Sequence, residues 1–295
     1  MEPFDVLAEE TSLPTIALPE ELARIYGGDL PFADECVYAN FVATLDGVVA
    51  IPSVPKSNTL IAGDNDADRF LMGVLRAVAD TVLVGAGVLR ASPTGTWRAE
   101  KIYPPAADAY AELRRRLELP PTPEIAILTG SGSIDPAHPV LEGRAVVLTS
   151  DVGAERLAGK LPEGTAVASL GAETHIAGGR IVSALRERGH RRILCEAGPH
   201  AFGALLEAEQ VDELFLTTSP FLAGDAGEGS RFRLVESADL MPLLEWRLGS
   251  LRSHGEHLFA RYALAARLKS SFFSSPLFGG LPVTAPNSIR SHNSF

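Results

Sequence analysis

A carboxylate, a tight turn and a helix start follow one another near residue 196. Residues 193–195 form a short apolar run that ends at Glu196, and Ala197-Gly198-Pro199 then breaks the strand. Apolar residues recur at helical spacing beyond this turn, which predicts a helix from about His200. The free backbone N–H groups and the positive dipole end of that helix would suit a phosphate. An ordinary strand-to-helix connection with a surface glutamate is equally compatible with this stretch.

A second carboxylate comes directly after an earlier predicted strand. Residues 36–43 form a mostly apolar run, and Thr44-Leu45-Asp46-Gly47 follows it. A hydroxyl, an apolar residue, Asp and Gly at a strand end turn the chain sharply and can leave one carboxylate facing a cleft. A plain Asp-Gly hairpin turn is the alternative, and the pattern is at least as typical of it.

Two further turns after predicted strands contain small or hydroxyl residues. Gly85-Ala86-Gly87 closes the apolar strand 80–84, where small residues let a ligand approach the backbone. Thr129-Gly130-Ser131 follows the strand 125–128, and its hydroxyls suit the ribose or a phosphate of a nucleotide. Both features also occur at ordinary connections in α/β proteins.

Arg76 is a candidate of a different kind, because it lies within a predicted helix. Residues 63–79 begin with Asp and Asn, which are good helix caps, and continue with apolar residues on one face. Arg76 lies off that apolar face. The ordinary interpretation of a lone arginine there is a solvated cation.

The composition limits the classes of function. The chain has 295 residues, a hydrophobic fraction of 46% and a formal net charge of −11, so a sizeable folded core is expected. The acidic balance argues against nucleic acid or an anionic membrane as a partner. Two isolated cysteines, Cys36 and Cys195, indicate a reducing compartment without disulfides or thiolate metal sites. Without a signal-peptide pattern or a spanning segment, we expect a cytoplasmic protein, and we expect no bound metal.

The alternation of strands and helices predicts the fold class and the domains. Short apolar strands alternate with helices at least five times, which is typical of an α/β fold with a mostly parallel central sheet and helices on both faces. Residues 243–251 and 257–264 alternate apolar and polar around a turn, so we expect an antiparallel hairpin at one sheet edge. We predict an N-terminal arm at 1–34, a main domain at 35–265 and a disordered tail at 266–295.

Three motifs, by their order and spacing, resemble the reductase domain of the riboflavin-biosynthesis deaminase–reductases and the related stand-alone pyrimidine reductases. They are Thr44-Leu45-Asp46-Gly47, the segment LRAVADTVLVGAG at 75–87, and CEAGP at 195–199 with VDEL at 211–214. The resemblance covers about residues 36–264. It implies a dihydrofolate-reductase-like fold and an NADPH-dependent reduction. In that reaction hydride transfer to the opened ribose carbon converts a 5-phosphoribosylamino-pyrimidine to its ribitylamino form.

The resemblance also assigns roles to individual residues. Arg76 would clamp the substrate phosphate, and Glu196 would hold the pyrimidine or the ribosyl hydroxyls. Asp46 would bind the reacting end and orient it or supply a proton, so that Asp46 and Glu196 are the catalytic candidates. The cofactor would be held by residues at the ends of four predicted strands, namely Val42, Gly85, Gly87, Val88, Ser92, Thr129, Ser131, Gly198, Pro199, His200, Ala201, Phe202, Gly203 and Ala204.

The sequence departs from the pattern of that family in two places. Val88 stands where the family usually has Thr, which removes one hydroxyl contact to the cofactor, and Ser92 stands where an acidic residue is usual. The zinc deaminase motifs of the bifunctional enzymes are absent, so a stand-alone reductase is expected. Dihydrofolate or pterin reduction on the same fold, and a non-catalytic nucleotide-binding paralogue, remain alternatives. The resemblance and the expected apolar face of the C-terminal strands predict a homodimer.

Overall fold

The computed structural model of the chain describes residues 1–10, 13–225, 227 and 229–267. Its strands are β1 (Asp5–Glu9), β2 (Thr15–Ile16), β3 (Leu30–Pro31), β4 (Cys36–Ala43), β5 (Val48–Ala50), β6 (Thr81–Gly85), β7 (Glu124–Thr129), β8 (Ala145–Thr149), β9 (Ala166–Ser169), β10 (Arg192–Cys195), β11 (Glu213–Thr218), β12 (Phe232–Arg233), β13 (Leu244–His254) and β14 (His257–Arg267). Its helices are α1 (Glu20–Tyr26), α2 (Ser57–Ile61), α3 (Asp66–Val78), α4 (Ala86–Ala91), α5 (Ala99–Ile102), α6 (Ala107–Arg116), α7 (Asp151–Leu157), α8 (Gly178–Glu187) and α9 (Pro199–Glu207), with 3₁₀ turns at Pro104–Ala106 and Pro139–Glu142.

Ten of the described strands form one sheet in the order β1-β13-β14-β11-β4-β10-β6-β7-β8-β9. From β11 to β9 all neighbouring strands run parallel. On the other side of β11 the sheet continues with antiparallel pairs through β14, β13 and β1. The α/β class and the mostly parallel sheet expected from the sequence are confirmed.

The C-terminal hairpin is present, but it does not form the edge of the sheet. β13 and β14 pair with each other, and β1 pairs with the outer side of β13, with Asp5 opposite Ser253. The N-terminal arm therefore supplies the outermost strand. Sequence periodicity could not indicate this, because β1 has only five residues and most of them are exposed.

Helices cover both faces of the parallel part of the sheet. One face packs against α1, α3 and α6, with Leu22, Phe70 and Leu113 in its core. The other face packs against α8 and α9, with Leu185 and Leu205 in its core. Strands that are buried on both faces need apolar side chains at every position, which is why the sequence shows short continuous apolar runs there.

The helix α3 is held at both ends by side chains from outside it. At its start, the Asn65 side-chain oxygen accepts hydrogen bonds from the N–H groups of Ala67 at 2.8 Å and Asp68 at 3.1 Å. At its end, the buried Arg114 guanidinium donates to the carbonyl groups of residues 76, 77 and 79 at 2.9 to 3.2 Å. Both contacts satisfy backbone groups that a helix leaves unpaired at its termini. They fix the position of the side chains that α3 presents to its surroundings.

Three short helices were not predicted from the sequence. They are α2, α5 and α4, the last of which directly follows β6. Each has four to six residues, which is too short for an apolar periodicity to develop.

The predicted domain boundaries stay predictions. β14 extends to Arg267, and residues 268–295 of the predicted tail lie outside the described residues. In the described ranges, no helix is long and apolar enough to cross a bilayer.

Candidate active site

A cleft of about 1280 Å³ opens at the carboxyl ends of the parallel strands. The turns that follow β6, β7 and β10 line it, together with the first turn of α9 and one side of α3. The segments 49–59 and 90–98 form further parts of its wall. In open parallel sheets, ligands bind at this end of the strands, because the loops there diverge and leave a crevice.

A buried ion pair lies in the wall of this cleft. The Arg76 guanidinium donates from Nη2 to Glu196 Oε2 at 2.7 Å and from Nε to both carboxylate oxygens at 3.2 Å. Each of the two side chains is only 7% exposed. Arg76 is therefore not a solvated helix cation. Its charge is matched by Glu196, which lies 120 residues further along the chain at the end of β10.

A second buried acid of the cleft, besides Glu196, is Asp68, which lies on the side of α3 that faces the cleft. Asp68, Met72 and Arg76 all line the cleft, and their spacing of four residues places them along one side of the helix. The Asp68 residue is 5% exposed. Burial raises the pKa of Asp68 to about 6, the negative charge of Glu196 acts in the same direction, and the Thr217 hydroxyl and Arg76 oppose the shift. The sequence analysis missed Asp68, although its spacing from Arg76 was a usable signal.

Glycines bring the turns after β6 and β10 into direct contact. Gly198 has a φ of +88° and is the residue before the first turn of α9. A Cβ on Gly85 would lie 2.5 Å from the carbonyl oxygen of Ala197, so no larger residue fits there. The N–H groups of His200 and Ala201, which α9 leaves without helical partners, are at the cleft wall. This combination of small residues and free amides fits the pyrophosphate of a dinucleotide.

The turn after β7 forms the next part of the wall. Thr129, Gly130 and Ser131 line the cleft. A Cβ on Gly130 would lie 1.9 Å from the carbonyl oxygen of Thr174, so the backbones of these two segments are in contact. The hydroxyls of Thr149 and Ser150, at the end of β8, donate to the carbonyls of Thr129 and Gly130 and hold this turn in place.

Cationic side chains outnumber acids along the cleft. Besides the paired Arg76, the described residues of the lining include the cations Lys56, Arg90, Arg98 and Lys101, whereas the acids among them are Asp68 and Glu196. This local excess of positive charge contrasts with the net charge of −11 for the chain. It favours a ligand that contains phosphate.

Most of the residues predicted for the site do line the cleft. The lining includes Arg76, Glu196, Val42, Gly85, Gly87, Val88, Ser92, Thr129, Ser131, Gly198, Pro199, His200, Ala201 and Ala204. Asp46, Phe202 and Gly203 are not part of it.

Asp46 binds a neighbouring loop instead. Its carboxylate accepts hydrogen bonds from the Thr44 hydroxyl and from the N–H groups of Ala223 at 3.2 Å and Gly224 at 2.7 Å. The Thr44 hydroxyl and these amides lower the pKa of Asp46 to about 2. The Gly47 N–H donates to Thr44 O at 2.9 Å, and Gly47 has a φ of +81°. The local structure is thus the plain turn that the sequence left open as an alternative.

Phe202 and Gly203 lie on the packed side of α9. Phe202 is 1% exposed, and its ring centre is 5.0 Å from that of Phe41 in the core. A Cβ on Gly203 would lie 2.5 Å from the carbonyl oxygen of Glu236, so this glycine permits a close backbone contact. A helix turns by about 100° per residue, so successive residues cannot all face one ligand.

Neither cysteine has a chemical role at this site. Both are buried and unpaired, and burial raises the pKa of Cys195 to about 12, so it stays a thiol. Within the described ranges, no group of three or more His, Cys, Asp or Glu side chains could hold a metal ion.

Comparison with known structures finds the same fold in proteins that are named as pyrimidine or riboflavin-biosynthesis reductases. A pyrimidine reductase-like protein from Corynebacterium diphtheriae is 22% identical, with a TM-score of 0.59, over 78% of this chain and 92% of that one. RibD from Acinetobacter baumannii is 16% identical, with a TM-score of 0.57, over 82% of this chain and 60% of that one. The riboflavin biosynthesis reductase Rib7 of Saccharomyces cerevisiae is 14% identical, with a TM-score of 0.53, over 78% of this chain and 90% of that one.

At these identities the likeness establishes the fold, which this chain shares with the proteins named above. No curated protein matches the sequence. The family model of the RibD C-terminal domain matches residues 35–259, which is well over half of the chain. The protein therefore belongs to the family of the RibD C-terminal domain.

Proposed function

We propose that the protein is an NADPH-dependent reductase of a phosphoribosylamino-pyrimidine, of the kind used in riboflavin biosynthesis. The observation that carries this proposal is the buried pair of Arg76 and Glu196 in the wall of a large cleft that ends at the first turn of α9. Membership of the RibD C-terminal domain family supports an oxidoreductase role. The Saccharomyces cerevisiae protein of similar fold is named a riboflavin biosynthesis reductase.

The cofactor is assigned to the part of the cleft between β6, β7 and α9. The turn at Gly198 and the amides of His200 and Ala201 would hold its pyrophosphate. Thr129 and Ser131 would contact the ribose and phosphate at the adenosine end. The chemistry that the cofactor supplies when bound is a hydride.

The substrate is assigned to the opposite part, beside α3. Arg76 holds the Glu196 carboxylate in place, which orients it to accept hydrogen bonds from donors on the pyrimidine or the ribosyl chain. The Nε and Nη2 groups of Arg76 are occupied by this contact. We therefore assign the substrate phosphate to Lys56, Arg98 and Lys101, the cations of the cleft whose side chains form no ion pair or hydrogen bond with another described residue.

Titration of NADPH tests the cofactor site directly. We expect binding that is detectable by nicotinamide fluorescence, and Gly198→Ala should weaken it about tenfold or more. The added Cβ would require an unfavourable backbone conformation next to the amides and would contact Val88 at 3.4 Å. The matched control is Gly164→Ala, because Gly164 has the same φ of +88° with no atom near the added Cβ. A dissociation constant of about 1 mM corresponds to a binding free energy of only about −4 kcal/mol. If no binding is detected at about 1 mM NADPH, the proposal is contradicted.

Turnover tests the substrate. Oxidation of NADPH should require the phosphoribosylamino-pyrimidine, and dihydrofolate assayed in parallel should give a much lower kcat/KM. Equal or greater activity with dihydrofolate would assign the alternative reaction to this cleft. NADPH binding without oxidation by either substrate would support the non-catalytic paralogue.

A further inference from the structure

We infer that Asp68 donates the proton in the reduction proposed above, on which this inference rests. Asp68 belongs to the first turn of α3 and lines the cleft on the same side of the helix as Met72 and Arg76. Its backbone N–H is bonded to the Asn65 cap, so the residue has a fixed position. Among the described residues that line the cleft, the other acid is Glu196, which is already engaged by Arg76.

The surroundings of the Asp68 carboxyl group allow it to hold a proton. Three groups act on it: Arg76 of the same helix, Glu196 from the turn after β10, and the Thr217 hydroxyl of β11. Glu196 and Arg76 offset each other as an ion pair. Removal from water disfavours the charged carboxylate; it outweighs the opposing effect of the Thr217 hydroxyl and raises the pKa of Asp68 to about 6.

The other two carboxyl groups considered for catalysis are less suited to this role. Both Glu196 oxygens accept hydrogen bonds from Arg76, so this carboxylate is already engaged in an ion pair. Asp46 lies outside the cleft lining, and its pKa of about 2 means that it has no proton to give near neutral pH. A general acid works best when its pKa lies close to the working pH, and Asp68 meets that condition.

The proposed step balances in atoms and electrons. The opened ribose presents a carbon–nitrogen double bond, and the hydride that NADPH supplies forms a new bond to its carbon. The π electron pair moves to the nitrogen, and the nitrogen takes the proton of the Asp68 carboxyl group. The imine is reduced to a secondary amine, the nicotinamide is oxidised, and the Asp68 carboxylate is protonated again from solvent.

The pH dependence of turnover tests this assignment. For the wild type we expect kcat to fall as pH rises above about 6, because the donor loses its proton. Asp68→Asn should lower kcat by about 10² to 10⁴-fold with little change in KM, and should abolish this pH dependence. Asp66→Asn is the matched control, since Asp66 is an exposed acid two residues away that pairs with Arg69 outside the cleft lining.

A second readout does not depend on turnover. In protein with ¹³C-labelled aspartate, the carboxyl resonance that disappears in Asp68→Asn should titrate near the pH at which wild-type kcat falls. If that variant does not fold, the comparison of Asp68→Glu with the wild type serves the same purpose, because the longer acid keeps a titrating group but displaces it.

The outcomes separate the inference from the proposed function. An Asp68→Asn variant with kcat within about threefold of the wild type, or with the same pH profile, would overturn the role of Asp68 and leave the reductase intact. A carboxyl resonance that titrates far from the kinetic transition would do the same. A wild-type protein that binds both ligands but transfers no hydride would overturn the proposed function, and the role of Asp68 with it.

Discussion

The pairing of Arg76 with Glu196 shows what a single sequence can and cannot indicate at the residue scale. Each residue was identified from its local motif, Arg76 in a helix and Glu196 at a strand end. Their contact is made across 120 residues, and no local pattern contains it. A buried guanidinium without a counter-charge costs several kcal/mol, so the two residues act as a unit. The sequence therefore predicted both residues but not the contact between them.

Asp68 should make the stability of the protein depend on pH. Its pKa is raised in the folded state from 3.8 to about 6, so the folded protein binds an extra proton between these values. The free energy of unfolding consequently decreases as pH rises from about 4 to about 6. Asp68→Asn should be more stable than the wild type by about 1–3 kcal/mol at pH 8, since one pKa unit corresponds to about 1.4 kcal/mol. This gain should vanish near pH 4. Urea unfolding at several pH values measures it.

Asp66→Asn again provides the control for this effect. It removes the same charge from the exposed side of the same helical turn, so it should change the free energy of unfolding by less than about 1 kcal/mol at every pH. The opposite result is that the free energy of unfolding of the wild type rises between about pH 4 and pH 6 relative to that of Asp68→Asn. It would show that the site stabilises the Asp68 carboxylate.

At the scale of elements, the parallel strands were predictable and the short elements were not. β4 was predicted with its observed bounds, and β6, β7 and β10 within one or two residues, because each is buried on both faces and its sequence is a short run of apolar residues. α2, α4 and α5 gave no periodic signal and depend on tertiary contacts. The Asp46 turn shows the same limit, since its carboxylate accepts hydrogen bonds from the distant loop at Ala223 and Gly224.

The position of α3 depends on a close contact with α6. A Cβ on Gly73 would lie 2.4 Å from the ring of Tyr110, which is buried and donates a hydrogen bond to Phe70 O at 2.9 Å. Gly73→Ala should therefore destabilise the protein by about 1–3 kcal/mol, even though alanine is the better helix former by about 1 kcal/mol. Thermal unfolding followed by circular dichroism measures this change.

Gly179→Ala is the matched substitution in another helix. Gly179 lies in α8, and no atom lies within 4 Å of the Cβ that alanine would add. Alanine has the higher helix propensity and meets no clash here, so the free energy of unfolding should rise by up to about 1 kcal/mol. If both substitutions were stabilising, the contact between α3 and Tyr110 would not be as close as described.

At the scale of the molecule, the sheet is covered unevenly. α8 and α9 pack against its parallel strands, whereas β13 and β14 extend beyond them. Phe259 of β14 packs against Phe4 on one face, so the adjacent Leu258 must point to the opposite face. Tyr262 lies on that same face, and Leu248 of β13 is its direct partner. Leu248 is 44% exposed and Leu258 is 43% exposed. This leaves an apolar surface on the C-terminal strands.

We propose that a second copy of the chain covers this surface, which gives the homodimer predicted from the sequence. Leu248→Glu should convert the dimer into a monomer at micromolar concentration, because a carboxylate would be buried at the contact without a partner. Light scattering coupled to size exclusion measures the mass. Val152→Glu is the control, since Val152 is an exposed valine of α7 at the other end of the molecule and should leave the dimer intact. A wild type that is already monomeric would show that this apolar face is open to solvent, and that the cleft of each chain is complete without a partner.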